Sequence, residues 1–413
     1  LTESRTHRTS RPDVAVVGGG MVGAALACAL IDQDFKVAVI DGQPPDRGWP
    51  AGEVDLRVSA LTRASQRIFD NLGVWARMTE LGVSPYREMH VWDASGGGSI
   101  HFDAAELGEP DLGHIVENRI IRLALWERLE ASETAELVCP ARLAALELDG
   151  ERPRIRLEDG HAIAARLLVG ADGRDSRVRT LAGIGTRGWA YDQHGLVANI
   201  GTELGHGETA RQRFMPTGPL ALLPLADGRC SIVWSTSPHE SERLLALDEA
   251  AFREALTRAS ASVLGRVTSV GPRASFPLRL QHAQHYVRPG IALVGDAAHA
   301  IHPLAGQGVN LGLLDAATLA EVIGDARRRG RDWAGLLALR RYERSRKGAN
   351  IAMLAAMDGF KRLFSNRNPL LSLARNLGLG VVDGAGPIKQ LLVRHAMGLS
   401  GELPGLARPF PDP

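Results

Sequence analysis

The chain has 413 residues, 45% of them hydrophobic and 23% charged, with a formal net charge of +1. That length exceeds one compact core and implies two closely packed domains, and the charge balance excludes nucleic acid as a partner of the whole chain. The three cysteines, Cys28, Cys139 and Cys230, lie far apart, which excludes a CxxC pair and zinc-ligand spacing and fits a reduced, cytoplasmic setting.

Residues 1–12 are polar, carry Arg5, Arg8 and Arg11, lack the apolar stretch of a signal peptide and read as a loose tail. Val14 to Ile31 is uncharged and long enough for a membrane span, but Gly18, Gly19 and Gly20 interrupt it. A strand over Val14–Val17, a helix over Met21–Asp34 and a strand over Lys36–Ile40 explain the same run as the start of a βαβ unit. Between them, Gly18, Gly20 and Gly23 form a G-x-G-x-x-G turn. The first glycine permits the tight turn, the second lets backbone approach a pyrophosphate, and the third lets helix and strand pack closely. Asp41 ends the second strand, where a carboxylate can accept hydrogen bonds from an adenosine ribose. This spells a dinucleotide site without choosing between FAD and NAD.

Further along, a helix is expected over Thr62–Asn71, β structure over 86–105 with a turn at Gly96 to Gly98, and a helix over Ile120–Glu130. Leu143–Leu157 reads as a hairpin closed near Asp149-Gly150. A buried strand then delivers Asp172-Gly173 and the basic stretch Arg174 to Arg179. Short strands over 194–201, 209–215, 221–225 and 230–234 imply an inserted antiparallel sheet. On it, Tyr191, His194, Phe214 and Trp234 are candidates to line an aromatic pocket, with ordinary sheet core as the competing reading. A buried strand over Ile291–Val294 leads into Gly295-Asp296-Ala297-Ala298-His299, and a helix is expected over Gly308–Ile323. His299 and His302 have an i, i+3 spacing, but Pro303 and the nearby glycines argue for a loop. That leaves no metal, and structural hydrogen bonding ahead of a proton-relay or substrate role.

The tail is expected to be mostly helical. From Arg346 to Ser400 it holds eight basic residues against two acidic ones, with Met353, Met357, Phe360 and Phe364 on one helix face and Leu370, Leu373 and Leu377 beyond. Two readings stay open: a basic amphipathic segment lying on anionic lipid at the inner face of the membrane, or a helix packed on the nucleotide domain.

Together the three motifs resemble the class A flavin monooxygenases of the para-hydroxybenzoate hydroxylase fold, over nearly the whole chain. Within that group the likeness is to the ubiquinone-biosynthesis hydroxylases. It is carried by Arg57-Val58-Ser59-Ala60-Leu61, Leu72-Gly73-Val74-Trp75, Val116-Glu117-Asn118, Ala124-Leu125-Trp126, Leu223-Pro224-Leu225, and the stretches Val294 to His299 and Ile301 to Gly312. The resemblance implies an α/β fold: a Rossmann-like FAD-binding domain, an inserted antiparallel β-sheet substrate domain and a helical C-terminal segment. It divides the chain into a tail (1–12), FAD-binding parts (13–75, 111–185, 286–345), substrate-domain parts (76–110, 186–285) and a C-terminal segment (346–413).

By the same resemblance, Gly18, Gly20, Gly23 and Asp41 hold the ADP half of FAD, Asp172 and Gly173 serve both FAD and NAD(P)H, and Asp296 binds the ribitol. Pro303, Gly308, Val309 and Asn310 match positions beside the flavin ring, and Arg57 and Asn118 match further contacts. The implied reaction uses transient NAD(P)H, bound FAD and O2, through a flavin C4a-hydroperoxide, to hydroxylate an aromatic ring, prenylated in the ubiquinone case. No side chain is nominated as catalytic. The family motifs leave the ring position, the prenyl length, the oligomeric state and membrane or complex association open. A hydroxylase of another aromatic compound and a non-catalytic prenyl-lipid-binding protein on the same fold are the alternatives. The latter needs neither Asp172 nor Asp296.

Overall fold

The computed structural model describes residues 11–50, 52–94, 96, 98–148, 152–300, 307–364, 394, 397–399 and 401–409. The helices that matter below are α1 Met21–Ile31, α2 Arg63–Asn71, α3 Trp75–Gly82, α4 Asn118–Glu130, α5 Arg177–Leu181, α6 Pro238–Ala246, α7 Glu249–Ala259, α8 Gln307–Arg328 and α9 Leu336–Phe364.

A sheet of mostly parallel strands forms the first core. From one edge its order is Val287–Arg288, Ile291–Leu293, Leu167–Gly170, Val14–Val17, Val37–Ile40 and Ala135–Val138. Four of these strands are continuous runs of buried aliphatic residues, as expected where helices cover both faces. Helix α1 is buried nearly all round, from Gly23 to Leu30, because it lies between this sheet and α8. It ends at Ile31, short of the expected Asp34. Residues Asp32 to Asp34 turn the chain instead, Asp34 taking a φ of 61°.

The second sheet has eight strands, in the order His299–Ala300, Val267–Ala283, Thr186–Thr202, Cys230–Thr236, Gly218–Pro224, Thr209–Met215, Glu88–Asp93 and Ser99–Asp103. It departs from the sequence expectation in three ways. Thr186–Thr202 and Val267–Ala283 are long strands of 17 residues each, paired along their length, with a register shift between Ala190 and His194. That irregularity and the glycines break the period-2 pattern from which length is read. Next, the pairing of Thr209–Met215 with Glu88–Asp93 is parallel, so the sheet is not wholly antiparallel. Those two strands come from remote stretches of chain, and no hairpin dictates their direction. Finally, α6 and α7 cover one face of the sheet where only strands were expected. Their starts are legible in hindsight: Ser237 Oγ accepts the Glu240 N–H at 3.2 Å, with Pro238 opening α6, and Asp248 Oδ1 accepts the Ala251 N–H at 2.8 Å.

Other expectations hold. The hairpin strands Leu143–Glu147 and Arg154–Leu157 pair antiparallel, and α2, α4, α8 and a long α9 form. The closing turn at Asp149-Gly150, residues 1–10 of the tail, and Leu370, Leu373 and Leu377 lie outside the described residues. Among the described residues no helix is long and apolar enough to cross a membrane.

One buried histidine makes stability pH-dependent. His114 packs edge-on against Trp75 with ring centroids 4.9 Å apart, and burial, then the charge of Arg63, push its pKa from 6.5 down to about 4. The native state therefore binds fewer protons than the unfolded chain between those values, so stability falls as pH drops from 6.5 to 4, by roughly 3 kcal/mol at the lower end. Urea midpoints at pH 7.5 and 4.5 should show this loss. In His114→Gln the pH slope should shrink; an unchanged slope would place the proton-binding difference elsewhere.

Candidate FAD site

The glycine turn is built as the spacing demands. Gly18 has a φ of +106°, and a Cβ there would sit 2.3 Å from the Ala171 carbonyl oxygen. A Cβ on Gly23 would meet the Gly18 carbonyl oxygen at 1.9 Å. Gly20 differs: among the described residues, none beyond its own stretch of chain comes within 4 Å of its Cβ position. Gly20 also precedes α1 with no side-chain cap, which leaves the first-turn N–H groups free for an anion. An open glycine at an uncapped helix start fits a pyrophosphate.

Asp41 closes the turn from the side. Its Oδ2 accepts the Gly19 N–H at 2.6 Å and its Oδ1 the Gln43 N–H at 2.9 Å. Arg122 and Trp126, one turn apart on α4, complete the clasp, and no motif singled them out as ligands of this turn. The Gly19 carbonyl accepts from Arg122 Nε at 3.2 Å and from Trp126 Nε1 at 2.7 Å, and Arg122 also reaches Asp41 at 3.2 Å. The signal available was their i, i+4 spacing on a helix that starts at the matched Asn118.

At the second motif Asp172 spends its carboxylate on its own loop. It accepts from Ser176 Oγ and from the N–H groups of Arg177, at 2.7 Å, and Val178, at 3.0 Å, so it fastens the start of α5. Gly173 takes a φ of +80°. The basic stretch after it acts as a brace. Buried Arg179 donates to the Arg174 carbonyl at 2.8 Å and to the Ala297 carbonyl at 2.9 Å, tying the second motif to the third.

In the third motif Asp296 is solvent-exposed by area yet surrounded by protein, which describes a carboxylate on the floor of an open cleft. That enclosure raises its pKa, and His299, Arg174 and Arg57 oppose the rise. Arg57 is thereby brought to the same cleft. Its carbonyl accepts the Asn118 N–H at 2.9 Å, while Asn118 Oδ1 accepts from Ser59 Oγ at 2.7 Å. Asn310 turns its side chain away into protein: Oδ1 accepts from Thr62 N at 3.0 Å and Ser65 Oγ at 2.6 Å, and Nδ2 donates to the Ala60 carbonyl at 2.8 Å. It locks α8 to the start of α2. Gly308 and Val309, in the first turn of α8, are half-buried. His302 and Pro303 lie outside the described residues.

Strand register separates the four pocket candidates. Trp234 pairs with Leu196 and Leu220, and its face carries the core under α6 and α7 with Leu244, Phe252 and Leu256. His194, two residues from Leu196, shares that face. This corrects their grouping with Phe214, which lies on the opposite face and packs with Val91, Ile100, Met89, Phe102 and Met357 of α9. That face meets the nucleotide domain: Asn199, on the same side, donates to the carbonyls of Val54 and Asp55, both at 3.1 Å. Tyr191 donates its hydroxyl to Asp358 of α9 at 3.2 Å. His299 is buried, with its Nε2 against the Asp315 carboxylate.

A family model described as an FAD binding domain matches residues 11–356. The chain belongs to this FAD-binding family. FAD is the cofactor, and the flavoprotein is similar over nearly its whole length to curated hydroxylases. It is 41% identical to the 3-demethoxyubiquinol 3-hydroxylase of Escherichia coli, over 95% of this chain and 100% of that one. It is 44% identical to the ubiquinone hydroxylase UbiL of Rhodospirillum rubrum, over 97% and 93%. Among solved structures, a probable FAD-dependent monooxygenase from Pseudomonas aeruginosa superposes with a TM-score of 0.76 at 25% identity, covering 90% of this chain and 99% of that one. The p-nitrophenol 4-monooxygenase of Pseudomonas putida shares the fold, with a TM-score of 0.77 at 17% identity over 94% and 99%.

Proposed function

We propose that this flavoprotein hydroxylates the ring of a polyprenylated phenol in ubiquinone biosynthesis, using NAD(P)H and O2. The observation that carries the reading is the meeting of the three motifs: Gly18 lies against Ala171 of the second, and Arg179 ties the second to Ala297 of the third. The hydroxylase relatives, matched along more than nine-tenths of the chain, support the reaction class.

FAD, when bound, supplies the oxygen-activating chemistry; the protein's share is binding, orientation and dryness. Gly20 and the first turn of α1 would take the pyrophosphate, Asp41 the adenosine ribose, and Asp296 the ribityl hydroxyls. Gly173, Arg57 and Asn118 would border the cofactor, and Gly308 and Val309 would meet the ring edge with the positive end of α8. Phe214, packed with Val91, Ile100 and Phe102, would supply an apolar wall to keep water from the reacting atoms. A polyprenyl tail also implies work at a lipid surface, which we assign to peripheral association at the inner face of the membrane rather than to a spanning helix.

The test is turnover of purified, flavin-loaded protein with a short-chain prenylphenol in detergent and, separately, with water-soluble phenols. A hydroxylated prenyl product with tight coupling to NAD(P)H oxidation is expected. Coupled hydroxylation of the soluble phenol alone would move the substrate to another aromatic pathway.

A further inference from the structure

Asp315 of α8 stands outside every motif described above, yet it is a fully buried carboxylate directly beneath the third one. Its two oxygens face two different parts of the molecule. Oδ2 accepts the Gly295 N–H at 3.2 Å and contacts His299 Nε2 at 2.5 Å. Those two residues bracket Asp296. Oδ1 accepts from Arg346 Nε at 2.9 Å and Asn350 Nδ2 at 3.1 Å, both on α9. Arg346 in turn donates to Asn350 Oδ1 at 3.0 Å, and Asn350 Nδ2 reaches the Tyr286 hydroxyl at 3.3 Å. That hydroxyl contacts His282 Nε2 at 3.0 Å, and His282 is the strand partner of His299, so the network closes on itself.

Burial alone would raise the carboxyl of Asp315. His299 and then Arg346 outweigh it and hold the pKa near 2, so the group stays charged without water. An ionised group in a dry core costs several kcal/mol unless fully partnered, and an apolar pair would join two helices more cheaply. Half of this carboxylate serves the flavin turn rather than the helix pair. A carboxylate facing His299 Nε2 also fixes the imidazole with a proton on that nitrogen.

We propose that Asp315 is a positioning residue for the flavin. It fixes the turn from Gly295 to His299 that presents Asp296, and through Arg346 and Asn350 it makes FAD retention depend on the seating of α9. The inference rests on the reading that Asp296 holds FAD.

The test titrates FAD into deflavinated full-length protein, with fluorescence quenching for affinity and circular dichroism for the melting point of the apoprotein. Asp315→Asn should weaken FAD binding by about tenfold or more. Arg346→Lys keeps the charge but cannot span Asp315 and Asn350 together, and it should weaken binding by about fivefold in an apoprotein that still melts cooperatively. It decides the matter if Asp315→Asn does not fold. Lower melting points with FAD affinity within twofold of wild type would reduce the network to a helix-joining ion cluster and overturn the proposal. Asp296→Ala runs alongside. If it retains FAD, the underlying reading fails; if it loses FAD while both network variants keep it, only the inference does.

Discussion

Asp296→Ala is expected to purify as a folded, nearly colourless protein. The carboxylate lies on the cleft floor, where surrounding protein raises its pKa and only Arg174, Arg57 and His299 compensate. Removing it therefore relieves the apoprotein of an unfavourable charge and should leave its melting point unchanged or slightly higher. FAD, in contrast, would lose the acceptor proposed for its ribityl hydroxyls. Hydrogen bonds to a charged group contribute about 1.5–3 kcal/mol each, so two of them correspond to roughly a hundredfold or more in dissociation constant. The flavin absorbance per protein and an FAD titration measure this directly. Full flavin occupancy with wild-type turnover would remove Asp296 from the site.

The second large effect separates two glycines of the same turn. In Gly23→Ala the new methyl would lie 1.9 Å from the Gly18 carbonyl oxygen and 2.9 Å from Ala171 Cβ, and neither can move without lifting α1 from its sheet. A loss of about 3 kcal/mol or more is expected, with flavin lost as well. Gly20→Ala meets no described residue beyond its own stretch of chain within 4 Å, and its backbone φ of −72° suits alanine. Its apoprotein should be as stable as wild type, while its methyl occupies the space a pyrophosphate needs, so FAD affinity should fall. Urea denaturation and FAD titration of both variants form the test. Equal destabilisation by the two substitutions would mean that Gly20 serves the fold and not the cofactor.

The site was legible where chemistry rides on local backbone. The three glycines, Asp41 and Asp296 announce themselves because their spacing reports a strand, a turn and a helix start within a few residues. The braces escaped notice because each acts across a long stretch of sequence: Arg122 on Gly19, Arg179 on Ala297, Arg346 on Asp315. Nothing local distinguishes those arginines from solvated ones. Asn310 carries the opposite lesson, since a residue of the flavin motif spends its amide on Thr62, Ser65 and Ala60. In the large sheet several strands were readable, but Val267–Ala283, the full length of Thr186–Thr202 and the faces were not. Which side of Cys230–Thr236 meets α6 depends on register with neighbours, and a shift of one residue would have exchanged the roles of Trp234 and its flanking residues.

The strand order of the parallel sheet bears on how the molecule is made. Val14–Val17 is made long before one of its two neighbours, Leu167–Gly170, whose own other neighbour is Ile291–Leu293. During synthesis these apolar segments must wait for partners more than a hundred positions away, the situation in which folding is slow and exposed edges invite aggregation. Expression yield should therefore depend on chaperones and on flavin supply more than the modest charge and ordinary composition suggest. Bound by loops from these strands, FAD would staple a core that closes late.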